Sequence, residues 1–471
     1  MRLLQTEDAS SKTLTRGPIA STLARFSLPL TTTLLLHSVV GSWSAFWVSR
    51  TLGANELVAV INANIIVGLL MAVIFGFGAT AGIFIGQAIG ANDLESAKKL
   101  FGTAMTFAMS SGFFLALIGY LGVHSIADLL HMPLAARGAS IAYFQIFCLS
   151  LPTLFAYVFA SQILRSIGDA RTPFIFSSLW MGLSFGLTPL FLTGIFGLPQ
   201  FGLAGAAMAS CIANALAVVM MALYVYQKDH QIALRGAELR YLRLNPNILF
   251  RLAKKALPTS IESIIVQGSY FALLFLVNAQ GAATAAGYAA SAQLWGYVGI
   301  PVIAIPASMS AMAAQNIGAG QWVRVEKIML YGCALTVLAT TSLAVITWSL
   351  GDLPFLLFLP EGSIALQSAL EINSIAVWSI PLLAITSSLF AIVRANGSML
   401  APAVIFTVTM WGLRIPFAYL MEPVLGAAAI WWSFPLSALM SALLAILYYR
   451  TGSWRSGSLF PAESSVARVL Q

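Results

Sequence analysis

The sequence predicts an all-α integral membrane protein with twelve transmembrane helices in two six-helix lobes. Three observations predict it. Of 471 residues, 59% are apolar and only 8% are charged, with a mean hydropathy of +0.88. A soluble domain carries about 25% charged residues, so this chain cannot cover a water-facing surface of ordinary size. Soluble enzymes and nucleic-acid readers are excluded, despite a net charge of +8. The second observation is that apolar runs of about 20 residues, the length a helix needs to cross the hydrocarbon core, recur twelve times. The third is that the landmarks of the first six runs return in the last six.

The first run, 24–49, opens at Leu28-Pro29 and closes on Phe46-Trp47-Val48-Ser49-Arg50. The second, 57–82, carries Gly76, Gly78 and Gly82, small residues that permit close helix packing. Runs at 100–122, 139–160, 172–194 and 201–226 complete the first half. A basic connection from Lys228 to Lys255 separates them from 256–279, 284–310, 328–350, 371–393, 401–420 and 426–449. The runs are continuous rather than alternating and exceed the ~10 residues of a barrel strand. Pro152, Pro189, Pro306 and Pro381 lie within them, as membrane helices tolerate where neighbours satisfy the freed backbone groups.

The expected organisation is an N-terminal segment at 1–20, an N-lobe at 21–226, a linker at 227–255, a C-lobe at 256–450 and a tail at 451–471. All of the 24 lysines and arginines except Arg50, Arg137 and Arg414 fall on the side of both termini. By the positive-inside rule that side is cytoplasmic, which predicts a multi-pass inner-membrane protein. Residues 1–17 show no apolar core ahead of a cleavage site, so no cleaved signal peptide is expected. Cys148, Cys211 and Cys333 lie in apolar runs and build neither a disulfide framework nor a metal-ligand spacing. No metal site and no cofactor are expected, and no catalytic motif is found.

The repeat is the most informative pattern. Leu28-Pro29 returns as Leu257-Pro258, Leu151-Pro152 as Ile380-Pro381, and Pro173 as Pro402, all at one constant offset along the chain. Arg165-Ser166-Ile167-Gly168 returns as Arg394-Ala395-Asn396-Gly397, and Gln87-Ala88-Ile89-Gly90-Ala91 as Gln315-Asn316-Ile317-Gly318-Ala319. An even number of helices per half gives the halves the same orientation. They are then related by an axis along the membrane normal, with a central cleft.

These motifs, in this order and over about residues 20–450, resemble the multidrug and toxic compound extrusion (MATE) family of secondary transporters. The resemblance implies a V-shaped pair of lobes and export of small organic compounds in exchange for Na⁺ or H⁺ by alternating access; the expected partners are a small organic substrate and the lipid bilayer, with the chain working as a monomer. Flippases of lipid-linked precursors or polysaccharides in the same superfamily share the architecture and are the alternative; a membrane-embedded enzyme is the remote one. Many relatives place an aspartate in helix one, six residues before the arginine that matches Arg50. Here that position is Ser44, which cannot carry a proton at physiological pH.

Ionisable groups inside a bilayer are functional candidates by default. Glu262 lies one turn beyond Pro258 and is a carrier of H⁺ or of a cation, or else a carboxylate paired with Lys254 or Lys255. Arg414 is a holder of an anionic group, or else the ion-pair partner of Glu371 or a side chain reaching towards Glu422. His37 titrates near neutrality and is a substitute proton carrier. Asn62, Asn64, Gln267, Gln293 and Asn373 are interhelical hydrogen-bonding groups or cleft-lining ones. Trp43, Trp47, Trp295 and Trp378 are stacking surfaces for flat solutes or interface anchors. Gln87, Gly90, Gln315 and Gly318 are expected to end helices with a left-handed glycine cap, and Arg165, Gly168, Arg394 and Gly397 to pin loops at the same face.

Overall fold

The computed structural model describes residues 14–52, 54–129, 134–194, 197 and 199–457, with the side chains of 45, 49, 54–67, 69, 72, 73, 126–129, 134–136, 139, 456 and 457 outside that description. The first half is α1 (Ile19–Thr51), α2 (Ala54–Gly90), α3 (Leu94–Leu129), α4 (Leu134–Ser166), α5 (Arg171–Thr193) and α6 (Gly202–Gln227). A short 3₁₀ segment, Gly236–Leu242, follows. The second half is α7 (Pro246–Ala279), α8 (Ala282–Val298), α9 (Ile300–Gly318), α10 (Trp322–Ser349), α11 (Ile364–Ala376), α12 (Ser379–Ala395), α13 (Leu400–Phe406), α14 (Ile415–Leu425) and α15 (Ala428–Thr451). Between α13 and α14 the chain is π-helical over Thr407–Arg414. Each of the twelve apolar runs coincides with one of these helices or with a broken series of them. Among the described residues, ten helices are long and apolar enough to cross a membrane, eleven when α11 and α12 count as one bent span, and α2 adds the apolar stretch Ile74–Gly90.

Proline explains the breaks only in part. Pro381 has no N–H to continue the ladder from α11, and α11 meets α12 at a 43° bend. Pro152, its counterpart in the repeat, sits inside an unbroken α4. The α8–α9 junction falls at Gly299, two residues before Pro301 in the first turn of α9.

Among the described residues, those within Thr32–Ala253 form one compact unit, and 254–457 form another together with 14–31. In the first, α4 packs against α2 and α3, and Gly82 and Gly78 of α2 face Ser166 and Gln162 of α4, with room for an added Cβ at ordinary contact distance. In the second, α12 packs against α9, α10 and α15, with Phe390, Phe406 and Met410 in its core.

The repeated motifs close helices in one way. The N–H of Asp93 bonds the carbonyl of Ala88, and that of Asn92 the carbonyl of Ile89. The same six-to-one and five-to-two pairs recur at Asp169 and Gly168, Gln321 and Gly320, and Ser398 and Gly397. These are Schellman closures, which need a left-handed residue just past the helix. Asn92, Gly168, Gly320 and Gly397 supply it, at φ of 59°, 97°, 71° and 87°. The expectation of left-handed Gly90 and Gly318 is therefore corrected. Both remain helical, and the turn falls two residues later, where asparagine serves in one copy and glycine in the other. Asp93 and Asp169 then open the following helices, their carboxylates accepting from the N–H groups of Ser96 and Thr172 at 2.9 and 3.0 Å.

Candidate coupling and substrate sites

Glu262, one turn past Pro258 in α7, is 6% exposed. One of its oxygens lies 2.5 Å from Arg394 Nη2 at the end of α12. The other oxygen and Arg394 Nε have no hydrogen-bond partner among the described residues. The pairing with Lys254 or Lys255 does not form. Those lysines are seven and eight residues back, a separation of about 10 Å along a helix, and Lys255 instead donates to the Gly397 carbonyl at 2.8 Å. Arg165, the repeat counterpart of Arg394, has no such acid: Thr33 stands in the first repeat where Glu262 stands in the second, and Arg165 donates to Gln162 Oε1 at 2.9 Å. The ion pair belongs to the second repeat alone.

Arg414, at the end of the π-helical turn, is fully buried. Its Nε donates to Ser437 Oγ at 2.8 Å and its Nη1 to Ser269 Oγ at 3.1 Å. The guanidinium lies 4.9 Å from the ring centre of Phe434 and 5.3 Å from that of Tyr270. Behind these rings, Trp295 packs on Phe434, and Tyr288 on Trp431. Nη2 has no partner, and no carboxylate lies within 4 Å of the guanidinium among the described residues. The expected partners are elsewhere: Glu371 is exposed, and Glu422, two turns further on, accepts from Gln280 Nε2 at 2.6 Å. Removing a guanidinium from water costs several kcal/mol. Cation–π contacts return about 0.5–2 kcal/mol each, and two hydroxyl hydrogen bonds about as much again, so the charge is held but not neutralised.

The first unit is aromatic where the second is cationic. At the position of the first repeat that matches Arg414 stands Phe185, and Trp43 of α1 stacks on it with ring centres 4.0 Å apart and planes at 11°. Trp43 Nε1 also donates to the Phe185 carbonyl at 3.0 Å. Trp47 stands edge-on to Trp43, and His37, exposed on the same helix, edge-on to Trp180 at 5.2 Å. Ser44 is half-buried one residue beyond Trp43. Asn373 is buried and accepts from Trp295 Nε1 at 3.1 Å, whereas Gln267 and Gln293 are exposed. Trp378 packs on Trp348 rather than with the other tryptophans. The side chains of Asn62 and Asn64 lie outside the described residues.

Buried Gln315 and Asn316 hold the chain's N-terminal segment, through the N–H of Leu14 to Gln315 Oε1 at 2.9 Å and Asn316 Nδ2 to the Leu14 carbonyl at 3.1 Å. Gln87 is equally buried at the counterpart position. Among the described residues, no group of three or more His, Cys, Asp or Glu side chains is placed to hold a metal ion. Sequence reasoning missed Ser269, Tyr270, Phe434 and Ser437, the groups around Arg414. One signal was present: Ser433, Ser437 and Ser441 recur every fourth residue in an apolar run, a hydroxyl stripe on one face of α15.

The sequence model of the MatE family matches residues 29–190 and again 258–420, two copies that begin on the repeated prolines Pro29 and Pro258. Among curated proteins, the chain is 29% identical to "Probable multidrug resistance protein YoeA" of Bacillus subtilis, over 91% of this chain and 93% of that one. It is 22% identical to "Multidrug export protein MepA" of Staphylococcus aureus, over 92% of this chain and 94% of that one. Among solved structures it superposes on one described as the outward-facing conformation of a multidrug resistance MATE family transporter, with a TM-score of 0.86 at 17% identity, covering 95% and 98% of the two chains. A transporter of the same superfamily from Pyrococcus furiosus matches with a TM-score of 0.87 at 17% identity over the same shares.

Proposed function

The chain belongs to the MatE family, and from that premise we propose that it is a secondary active antiporter exporting small organic compounds across the cytoplasmic membrane by alternating access. Relatives named for multidrug resistance and multidrug export over more than nine-tenths of their length support the substrate class. Both termini are cytoplasmic in this reading, which rests on the sidedness of lysine and arginine, and one chain is the working unit.

The coupling ion is H⁺ and its carrier is Glu262. The observation that carries this is the buried pair between Glu262 of α7 and Arg394 of α12. A carboxylate already neutralised by a guanidinium offers no net negative charge to hold Na⁺, but it can take a proton when the pair opens. Protonation then frees α12, the second half of a bent span, from α7. A proton that binds one arrangement of these helices better than the other shifts their populations, which is what coupling requires. Ser44 and His37 are left outside the proton path, His37 because it lies against Trp180 with no acid beside it among the described residues.

The test is solute accumulation in proteoliposomes under an imposed proton gradient. Glu262→Gln abolishes gradient-driven accumulation while leaving downhill exchange of solute, and His37→Ala leaves both. Coupling that survives Glu262→Gln overturns the assignment of the carrier, and a Na⁺ gradient that drives accumulation equally well overturns the choice of ion.

A further inference from the structure

We infer that Arg414 is a binding site for the compact anionic group, a carboxylate above all, of an aromatic organic solute. The inference rests on the export reading and narrows its substrate class. The guanidinium is fully buried, presents Nη2 with no partner, and meets no carboxylate among the described residues. Ser437 takes the Nε hydrogen and Ser269 one Nη1 hydrogen, which leaves the Nη1–Nη2 edge as the free one. A guanidinium fork is shaped for a two-oxygen anion. Phe434, 2% exposed, backs the guanidinium, while Tyr270, which also packs on it, is half-buried, so the ring a flat solute meets is that of Tyr270, on the side that extends towards the accessible surface.

Two independent features favour a ligand over a mere interhelical tie. The arginine ends a π-helical stretch, Thr407–Arg414, a geometry that gives up regular hydrogen bonding and recurs at functional sites. The repeat does without a charge here: the counterpart, Phe185, is 41% exposed and stacks on Trp43, so the buried cation is a feature of the second repeat. A tie between α7 and α15 would be served equally well by an uncharged side chain.

The test uses the full chain in detergent or nanodiscs with no ion gradient, and three probes of one shape: 1-naphthoate, the neutral 1-naphthamide and cationic 1-naphthylmethylamine. Equilibrium dialysis of the wild type is expected to rank naphthoate at least about 10-fold tighter than the amide, with the amine weakest. Arg414→Met, which fills the space among the rings with an apolar chain, is expected to bring naphthoate down to the amide's affinity and leave the amide within about twofold. Arg414→Lys, which keeps the charge but loses the fork, is expected to fall between. Equal binding of the three probes, a preference for the amine, no binding of naphthoate, or an Arg414→Met variant that weakens all three alike each overturns the assignment. If Arg414→Met does not fold, Arg414→Lys decides: an unchanged naphthoate-to-amide ratio overturns the fork. Because binding is read without a gradient, failed coupling leaves this result standing, and export of cations indifferent to Arg414 leaves the export reading standing while this one falls.

Discussion

Exchange of Glu262 for glutamine probes the ion pair that bridges α7 and α12. Breaking a buried pair from one side costs about 3–5 kcal/mol, because the remaining charge is stranded. Here the remaining charge is Arg394, whose side chain is 25% exposed, so part of its hydration returns and the expected loss is about 2–3 kcal/mol. A unit of about 250 residues shifts its melting temperature by roughly 2–4 °C per kcal/mol, so Glu262→Gln is expected to lower the unit's melting temperature by about 4–12 °C. Intrinsic tryptophan fluorescence on heating in detergent reads this directly, since Trp295 and Trp431 lie in the same unit. Arg394→Gln is also destabilising, for it leaves a carboxylate 8% exposed without its cation. The double variant Glu262→Gln with Arg394→Gln pairs two amides and is expected to recover about 0.5–3 kcal/mol relative to the sum of the singles, the range for groups in direct contact. Additive losses would show that the two side chains do not interact and would remove the structural basis for a proton-opened latch.

Gly287 of α8 packs on α11 so closely that an added Cβ would lie 2.7 Å from the Ala365 carbonyl and 2.9 Å from the Ala369 nitrogen. Both neighbours are backbone, so Gly287→Ala is expected to destabilise by about 1–3 kcal/mol, whereas Gly296→Ala, with open space beside it, is expected to melt like the wild type. Equal melting temperatures for the two variants would contradict the packing of α8 on α11. In the linker, the Lys98 ammonium, bonded to both oxygens of Glu238 at 2.7 and 2.8 Å, holds that carboxyl below its usual 4.5, and the Arg235 N–H adds to the effect. The folded value lies below the unfolded one, so the tie is fully present above about pH 4.5 and is lost as pH falls through the depressed value. A spin label on Leu239→Cys is expected to gain mobility below that pH, and at every pH in Lys98→Met; a label immobile at low pH in both would refute the tie.

The sequence carried the helices and the repeat because both are written in composition and spacing. Long apolar runs have one low-cost structure in a bilayer, and Pro29 and Pro258 hold matching places in the two halves whatever surrounds them. It also marked where helices end, but not which residue turns left-handed: Asn92 does so in place of Gly90 because the Schellman closure counts residues from the last helical carbonyl. Pro152 and Pro381 share a motif, yet only the second sits at a bend, since the outcome depends on packing and not on the proline alone. The charged candidates were visible and their partners were not. Arg394 is 132 positions from Glu262, and the groups around Arg414 come from α7 and α15. Local spacing offered Lys254, Lys255 and Glu422 instead, each ruled out by the rise of the helix. Nothing in Thr407–Arg414 announces a π-helical turn.

The most direct test of the account is transport of an organic solute by purified protein in liposomes, with a proton gradient, a Na⁺ gradient or none. Organic anions and cations of one aromatic shape are the solutes. Accumulation against the solute's own gradient is expected only when a proton gradient is imposed, with solute and protons moving in opposite directions. Equilibration without accumulation under every gradient would contradict it and make the protein a passive conduit.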